Sequence, residues 1–292
     1  MRDLAPVLVA FSGGVDSGLL LKAAVDELGP EAVVAVTAHG DVHTAEELGA
    51  AREAAARMGA RHVVITTNEL AVPGFEANPP ERCFLCKQCL YERLIDLARA
   101  EGLKTVVDGA NRDDSSDYRP GLQAAQALGV RSPLAEVGLG KVEVRALSRG
   151  WGLPEWDRPS SPCLASRFPY GESITAGALG MVAEAERHLK DLGLATVRVR
   201  HHGNLARIEV SADDMPRLVE GLDETPRLGG PQGGPRSEAR SAARATEESV
   251  RRAIVGHLRK LGYVYVTLDL EGFRSGSLNE ALRPLAAEEE DR

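Results

Sequence analysis

Short apolar runs alternate with amphipathic stretches along the first half of the 292-residue chain. Four runs rich in valine, isoleucine and alanine have the length of buried strands, and stretches with helical spacing separate them. The predicted strands are residues 7–11, 32–38, 62–67 and 104–108, and the predicted helices are residues 18–28, 44–58 and 90–101. This alternation is typical of parallel sheets with right-handed crossovers, so we predict an α/β fold with a doubly wound sheet.

The pattern changes near residue 150, where a loop-like segment rich in proline and serine begins. Beyond it we predict helices over 174–192 and 247–261, a hairpin of strands 195–201 and 206–210, and a strand over 263–268. We therefore expect one domain over residues 1–150 and a smaller α+β domain over 151–292. Residues 223–246 are rich in glycine, proline and arginine without apolar periodicity, which predicts a mobile insertion.

The most specific chemical signal follows the first predicted strand, at Ser12, Gly13, Gly14, Asp16 and Ser17. Two glycines let the backbone turn sharply and approach a ligand. Backbone N–H groups entering a helix form an anion site, to which the serine hydroxyls add donors. An aspartate beside a phosphate repels it unless a cation such as Mg²⁺ lies between them. We therefore predict a nucleotide pyrophosphate site with Mg²⁺; the alternative is an ordinary glycine turn with a capping serine.

This segment resembles the SGGxDS PP-loop of ATP pyrophosphatases, which split ATP between its α and β phosphates and adenylate a substrate oxygen. The resemblance implies ATP and adenylation, but it names no substrate. A P-loop kinase does not fit, because no GKS or GKT follows the glycines, and the GxGxxG spacing is also absent.

Further polar groups follow the fourth predicted strand. Asp113, Asp114 and Asp117 can assist Mg²⁺, or they can belong to a solvated acidic loop in which aspartates form turns. Lys141 can neutralise ATP phosphates as a point charge. We therefore assign Lys141 to the ATP site.

The four cysteines divide into a cluster of three, Cys83, Cys86 and Cys89, and a distant Cys163. Thiolates at this spacing bind zinc or an iron–sulfur cluster. A closed zinc site lacks a second close pair, whereas three cysteines on a cluster with one open iron also fit. For Cys89 a buried apolar role is an equal alternative. Cys163 lies in a polar loop followed by Arg167, which favours a nucleophilic thiolate.

Arg198 and Arg200 stand two residues apart in a predicted strand and so share one face. Two guanidinium groups on one face suit a phosphate. Glu186 on the preceding helix can pair with them or bind a metal. The alternative is a charged ladder on the surface.

Composition narrows the class of partner. The net charge of −8, from 35 basic and 43 acidic residues, argues against general nucleic-acid binding. No apolar run approaches the ~18 residues that a membrane span needs. The N-terminal apolar stretch leads directly into the predicted ligand loop, so it does not resemble a signal peptide. We expect a cytoplasmic protein that binds neither nucleic acid nor membrane and keeps its cysteines reduced.

Taken together, these segments resemble the LarE family, the ATP-dependent sulfur transferases that make the nickel-pincer cofactor of lactate racemase. The matching segments are SGGVDS at 12–17, NPPERCFLCK at 78–87, DGANRDDSSDYRPG at 108–121, SPL at 132–134, PSSPCLASRFPYGESIT at 159–175, RVRHHGNLARIEV at 198–210 and VYVTLDLEGFRSGSLNE at 264–280. The CLASR segment and the last segment are the most specific of these to the family.

The resemblance implies a substrate and a reaction. ATP adenylates one carboxylate of pyridinium-3,5-biscarboxylic acid mononucleotide, and a thiocarboxylate follows. In sacrificial members, the cysteine that matches Cys163 forms a thioester and gives up its sulfur. Other members use a four-iron, four-sulfur (4Fe-4S) cluster with a bound sulfide. Cys83, Cys86 and Cys163 match the three cysteines of those members, so we expect the cluster-dependent variant.

The resemblance also assigns roles in the second domain. Arg198 and Arg200 match positions associated with the substrate phosphate, and Glu186 matches a metal ligand. Family precedent favours a homo-oligomer.

Three other classes compete with this interpretation. A PP-loop tRNA thiolation enzyme also combines such a loop with cysteines, but it would need a basic RNA-binding surface. A glutamine-fed amidotransferase would need a glutaminase, and no Cys-His-Glu arrangement is evident in the sequence. A binding module without catalysis would leave ATP uncleaved.

Overall fold

The computed structural model describes residues 1–116, 120–219, 250–274, 276–277 and 279. The chain divides into two compact units. The first comprises Met1–Leu164 and Ser173–Ala176, and the second comprises Ala165–Glu172 and Gly177–Arg292. The predicted domain boundary near residue 150 stays a prediction. The predicted insertion at 223–246 lies outside the described residues.

The first unit contains the predicted α/β fold, with a parallel sheet of four strands. These are β1 (Val7–Ala10), β2 (Val33–His39), β3 (Arg61–Thr66) and β4 (Thr105–Val107). Their order is β3-β2-β1-β4, and all neighbours are parallel. The chain moves from β1 to one side of the sheet and then crosses to β4 on the other. The reversal point therefore lies between β1 and β4, where such sheets bind ligands at the carboxyl ends of their strands.

Six α-helices of the first unit lie within the described residues. They are α1 (Val15–Leu28), α2 (Ala45–Arg57), α3 (Arg82–Ala100), α4 (Pro120–Ala127), α5 (Pro133–Glu136) and α6 (Lys141–Gly150). A capping box starts α2, because the Thr44 hydroxyl accepts from the Glu47 N–H while the Glu47 carboxylate accepts from the Thr44 N–H.

Helix α3 begins eight residues before the start predicted at Leu90, so the cysteine cluster is helical. Its buried positions are Arg82, Tyr91, Leu94 and Ala98. Only the later three have the apolar spacing that predicts a helix, whereas the first two turns bury a charged residue instead. This difference explains why the pattern locates only the second half of α3.

Both faces of the sheet are covered, which its alternating side chains require. Val7 and Val9 pack with Leu20 of α1 on one face. Leu8 packs with Tyr91 and Leu94 of α3 on the other face. Because α1 packs on one face of β1 and α3 packs on the other, both helices have fixed positions relative to the same strand.

The second unit contains a small mixed sheet. Its strands are β5 (Val197–His202), β6 (Leu205–Val210) and β7 (Tyr265–Leu268). β5 and β6 form the predicted antiparallel hairpin with Gly203 and Asn204 at the turn, and β7 runs parallel to β6. Helix α7 (Ala176–Asp191) and the helical residues 250–260 bury Leu189 and Leu258 against this sheet. The short helix α8 (Met215–Val219) follows β6.

Candidate active site

The PP-loop closes on two serine hydroxyls at the end of β1. The Oγ atoms of Ser12 and Ser17 lie 3.1 Å apart. The Gly14 N–H donates to Ser12 Oγ at 3.3 Å, and Ser17 Oγ donates to the Gly14 carbonyl at 3.3 Å. These bonds bring the first turn of α1 against the strand end. The loop thus has the strand–turn–helix geometry that suits a pyrophosphate.

Gly13 is at a position that admits no side chain. Its φ is +75°, and a β-carbon built on it would lie 2.9 Å from the Ala51 Cα of α2. The Arg158 guanidinium donates to the Gly13 carbonyl at 3.0 Å. A glycine is therefore required both by the backbone conformation and by the close approach of α2.

Lys141 and Asp16, the two charged residues predicted for the ATP site, form an ion pair. Lys141, the first residue of α6, donates its Nζ to Asp16 Oδ2, and Asn111 Nδ2 donates to Asp16 Oδ1 at 3.1 Å. The Lys141 and Asp16 side chains are 35% and 25% exposed, so both are reachable from solvent. A cation and a carboxylate therefore stand together at the loop into which ATP phosphates would fit.

The segment after β4 supports the loop from the side. A β-carbon on Gly109 would lie 2.7 Å from the Ser17 backbone nitrogen, so the two backbones are in contact. Asp114 accepts from the Asn111 N–H at 2.9 Å, and Asp113 accepts from the Lys141 N–H at 2.7 Å. That last bond, followed by the Arg112 side chain, lowers the pKa of Asp113. These contacts favour turn and cap roles for Asp113 and Asp114, whereas Asp117 lies outside the described residues.

Three cysteines of the first unit are neighbours. Burial raises the pKa of the Cys86 thiol to about 12, and the nearby thiol of Cys163 acts in the same direction. Lys87 opposes this effect, while Glu69 and Cys83 add to it. Although they are far apart in sequence, Cys163 and α3 are thus brought close enough for their thiols to interact.

These thiols do not form a ready ligand set. Within the described part of the chain, no three histidine, cysteine, aspartate or glutamate side chains are grouped to bind a metal ion. The iron–sulfur cluster therefore stays a prediction. None of the four cysteines forms a disulfide, and Cys89 is half-buried on α3.

The second unit buries a cluster of arginines and glutamates. Arg167 donates to both carboxylate oxygens of Glu186, at 2.8 and 2.9 Å. Arg200 donates to both oxygens of Glu209, at 2.9 and 2.8 Å. Arg198 is buried beside them, and its guanidinium lies 5.2 Å from the centre of the Phe273 ring. The structure thus brings both predicted arginines and Glu186 into one buried network.

This network brings together three buried guanidinium groups, those of Arg167, Arg198 and Arg200. Burial lowers the pKa of Arg198 to about 10, and Arg167 lowers it further while Glu186 opposes the change. Guanidinium groups are well suited to bind a phosphate. Glu186 also accepts the Val199 N–H at 3.0 Å, so its carboxylate is fully engaged by protein donors.

Comparison with known proteins identifies the family. A family model described as asparagine synthase matches residues 1–77. An uncharacterized protein of Synechocystis is 44% identical, over 96% of this chain and 94% of its own length. The pyridinium-3,5-bisthiocarboxylic acid mononucleotide synthase of Lactiplantibacillus plantarum is 38% identical, over 97% of this chain and 92% of its own length. The chain belongs to the LarE family.

A weaker similarity extends outside the LarE family. The argininosuccinate synthase of Microcystis aeruginosa is 29% identical over 59% of this chain and 46% of its own length. Among the described residues of this LarE-family chain, no helix is both long and apolar enough to cross a membrane.

The sequence analysis does not predict a buried glutamate near the cysteines. Glu69 follows β3 and is 5% exposed, and its Oε1 accepts the Thr67 hydroxyl at 2.5 Å. Its Oε2 is buried and has no hydrogen-bond partner among the residues that the structure describes. His43 Nδ1, which accepts the Gly40 N–H, lies 4.0 Å from Glu69 Oε1. In this LarE-family chain the carboxyl ends of β2 and β3 therefore carry titratable groups next to the thiol of Cys86. The signal available in the sequence was a glutamate at a strand end.

Proposed function

We propose that this chain uses ATP to convert a carboxylate of pyridinium-3,5-biscarboxylic acid mononucleotide into a thiocarboxylate, for nickel-pincer cofactor biosynthesis. The observation that carries this proposal is the meeting of Lys141 and Asp16 at the serine-closed loop at the end of β1. The name of the 38% identical synthase supports the substrate class. Because guanidinium groups suit phosphate, the buried Arg198 and Arg200 of the second unit support a substrate that carries a phosphate.

The first step is adenylation. In the proposal, the backbone N–H groups at Gly13 and Gly14 and the hydroxyls of Ser12 and Ser17 receive the phosphates of ATP. Lys141 moves from Asp16 to the phosphates, and Asp16 would then hold Mg²⁺, whose charge would remove the repulsion between carboxylate and phosphate. The substrate carboxylate attacks the α-phosphorus, pyrophosphate leaves, and an acyl adenylate forms.

The second step brings in sulfur. In the sacrificial route, the Cys163 thiolate attacks the activated carbonyl, AMP leaves, and a thioester forms. The Cα proton of residue 163 then goes to a base, while the Cβ–S bond breaks and its electron pair stays on sulfur. The products are a thiocarboxylate and a dehydroalanine at position 163. The Cys163 thiol lies near that of Cys86, and the buried Glu69 also lies near Cys86, so titratable groups are present close to the reacting sulfur.

The remaining assignments complete the proposal. Arg198 and Arg200 receive the substrate phosphate, which would replace part of the bidentate contact between Arg200 and Glu209. Glu186 holds Arg167 in this network, and the family's metal-ligand role for Glu186 would require that contact to open. The enzyme is proposed to work in the cytoplasm as a homo-oligomer.

One experiment tests the substrate and the sulfur source together. Anaerobically purified protein is incubated with ATP, Mg²⁺ and the biscarboxylic acid mononucleotide. The masses of the product and of the protein are then determined by mass spectrometry. The sacrificial route predicts a thiocarboxylate product and loss of one H₂S from the peptide that contains Cys163. An unchanged protein mass, with multiple turnovers and bound iron, identifies the cluster-dependent variant instead.

Two variants and one competing substrate serve as controls. Cys163→Ser must lose product formation and keep pyrophosphate release, while Cys89→Ser must keep both. A tRNA substrate at physiological salt tests the competing class. If tRNA is thiolated and the mononucleotide is not, the proposed function is wrong.

A further inference from the structure

Asp108 lies at the junction of three elements in the first unit. Its Oδ2 accepts the Tyr91 hydroxyl of α3 at 2.7 Å. Its Oδ1 accepts the Ser132 hydroxyl at 2.7 Å and the Ala110 N–H at 3.2 Å. The carboxylate is 6% exposed, and these three donors are neutral. Asp108 is therefore fixed by short bonds from α3, from the turn after β4 and from the start of α5.

On one side, Asp108 belongs to the support of the ATP loop. The next residue, Gly109, has its backbone against the nitrogen of Ser17, and Asn111 donates to Asp16. A shift of Asp108 would displace Gly109 and Asn111, because these residues follow it directly in the chain and contact the ATP loop. The position of the loop and the position of Asp108 are thus linked by contact.

On the other side, Tyr91 belongs to the helix that carries the cysteines. It is 4% exposed and lies five residues after Cys86 on α3. Burial raises the pKa of Tyr91, Asp108 raises it further, and the Cys86 thiol adds to the same change, so the hydroxyl lies near that thiol. Leu94 and Ala98 continue the apolar side of this helix. A phenylalanine would fill the same space, so the hydroxyl contributes its bond to Asp108 rather than packing.

We propose that Tyr91 is a positioning residue that couples the ATP loop to the first turns of α3 through its hydrogen bond to Asp108. This inference rests on the proposed function, since it assumes that the loop binds ATP and that the thiols on α3 act in the later step. Nucleotide at the loop would restrain the segment at 108–111. Through Tyr91 the restraint would reach the helix that carries Cys83 and Cys86.

The coupling predicts a kinetic separation. Tyr91→Phe keeps the loop intact, so the KM for ATP and the rate of pyrophosphate release stay near wild type. The kcat for thiocarboxylate formation falls roughly 10-fold, the scale of a lost outer-shell partner. If Tyr91 only packed, the phenylalanine variant would match the wild type in both steps.

The matched control is Tyr263→Phe in the second unit. Tyr263 is 2% exposed, and its hydroxyl bonds one side chain, His201 Nδ1, at 3.0 Å. Losing that hydroxyl removes a comparable buried bond without touching Asp108. A second variant, Ser132→Ala, removes a different bond to Asp108 and leaves Tyr91 in place. Ser132→Ala should keep the coupling between the ATP loop and α3. It therefore distinguishes a specific role of the Tyr91 hydroxyl from the effect of any lost hydrogen bond to Asp108.

Hydrogen exchange of the full-length chain decides the matter without the sulfur substrate. Amide exchange is measured with and without Mg²⁺ and α,β-methylene ATP. We expect nucleotide to slow exchange at residues 12–17 and 82–89 in the wild type, Ser132→Ala and Tyr263→Phe. In Tyr91→Phe, residues 12–17 should stay protected while the effect at 82–89 is lost. Equal protection at 82–89 in Tyr91→Phe, or none there in the wild type, overturns the inference. Absence of protection at 12–17 in the wild type overturns the ATP site itself, and the coupling with it.

Discussion

The ammonium group of Lys141 contacts the carboxylate of Asp16, although 125 positions separate the two residues in the chain. Asp16 lies in the first turn of α1, and Lys141 is the first residue of α6. The contact brings two helix starts to the end of β1, so two positive helix ends and one cation face the same loop. This convergence is the geometry on which the proposed ATP site rests.

Removing the cation should slow adenylation. Lys141→Ala is expected to reduce ATP–pyrophosphate exchange by about 100-fold, because this is the usual loss when a group that stabilises the developing charge of a transition state is removed. Lys22→Ala is the control, since Lys22 also forms an ion pair with an aspartate, Asp26, but on the outer part of α1. Equal exchange rates in the two variants would exclude Lys141 from the ATP site.

The support of the loop should not tolerate a methyl group. Gly109→Ala would place a β-carbon 2.7 Å from the Ser17 nitrogen, so the backbone must shift. We expect a loss of about 2 kcal/mol in the free energy of unfolding, together with weaker ATP binding. Gly49→Ala in α2 has open space around it and should stabilise the protein by about 1 kcal/mol. Urea unfolding measures both, and a neutral Gly109→Ala would refute the close contact.

The buried ion pair of the second unit should be costly to break. Arg167→Met leaves the Glu186 carboxylate buried without its bidentate partner and should cost about 3 kcal/mol of unfolding free energy. Arg131→Met breaks the exposed pair with Glu136 and should cost less than about 1 kcal/mol. The double change Arg167→Met with Glu186→Leu should recover most of the loss. If the double variant is as unstable as the single one, the charge pairing is not the cause.

Stability should rise with pH through the range in which histidine titrates. Desolvation lowers the pKa of five histidines, namely His43, His62, His188, His201 and His202. The unfolded chain therefore binds more protons than the folded chain near an unperturbed pKa of about 6.5, and stability falls as the pH drops through that value. Thermal unfolding between about pH 5 and pH 7.5 measures this slope. A midpoint that rises on acidification over this range would contradict the burial of these rings.

The sequence pattern located the strands of the first unit because buried parallel strands are continuous apolar runs. It also located the loop, since two glycines, two serines and an aspartate at a strand end are specific. The meeting of Asp16 with Lys141 could not be derived, because it depends on how α6 packs after the crossover to β4. The early start of α3 was missed because its first turns bury Arg82 rather than apolar residues.

In the second unit, the hairpin pattern is enough to predict which charged residues of β5 and β6 lie close together. With Gly203 and Asn204 at the turn, the register places Arg198 opposite Glu209, and Arg200 lies on the diagonal. The bidentate bond from Arg200 to Glu209 uses that diagonal, which lies within reach of a long side chain. The pairing was therefore available from the sequence, whereas the contact of Arg167 with Glu186 depends on the path of the chain before α7.

In the proposed reaction, ATP activates the carboxylate of the mononucleotide through an acyl adenylate. The most direct measurement uses substrate whose carboxylates carry a heavy-oxygen label, followed by mass analysis of the AMP released. Because the carboxylate oxygen becomes the bridge to phosphorus, the account predicts that each AMP formed with thiocarboxylate carries one labelled oxygen. Thiocarboxylate produced together with unlabelled AMP would contradict it.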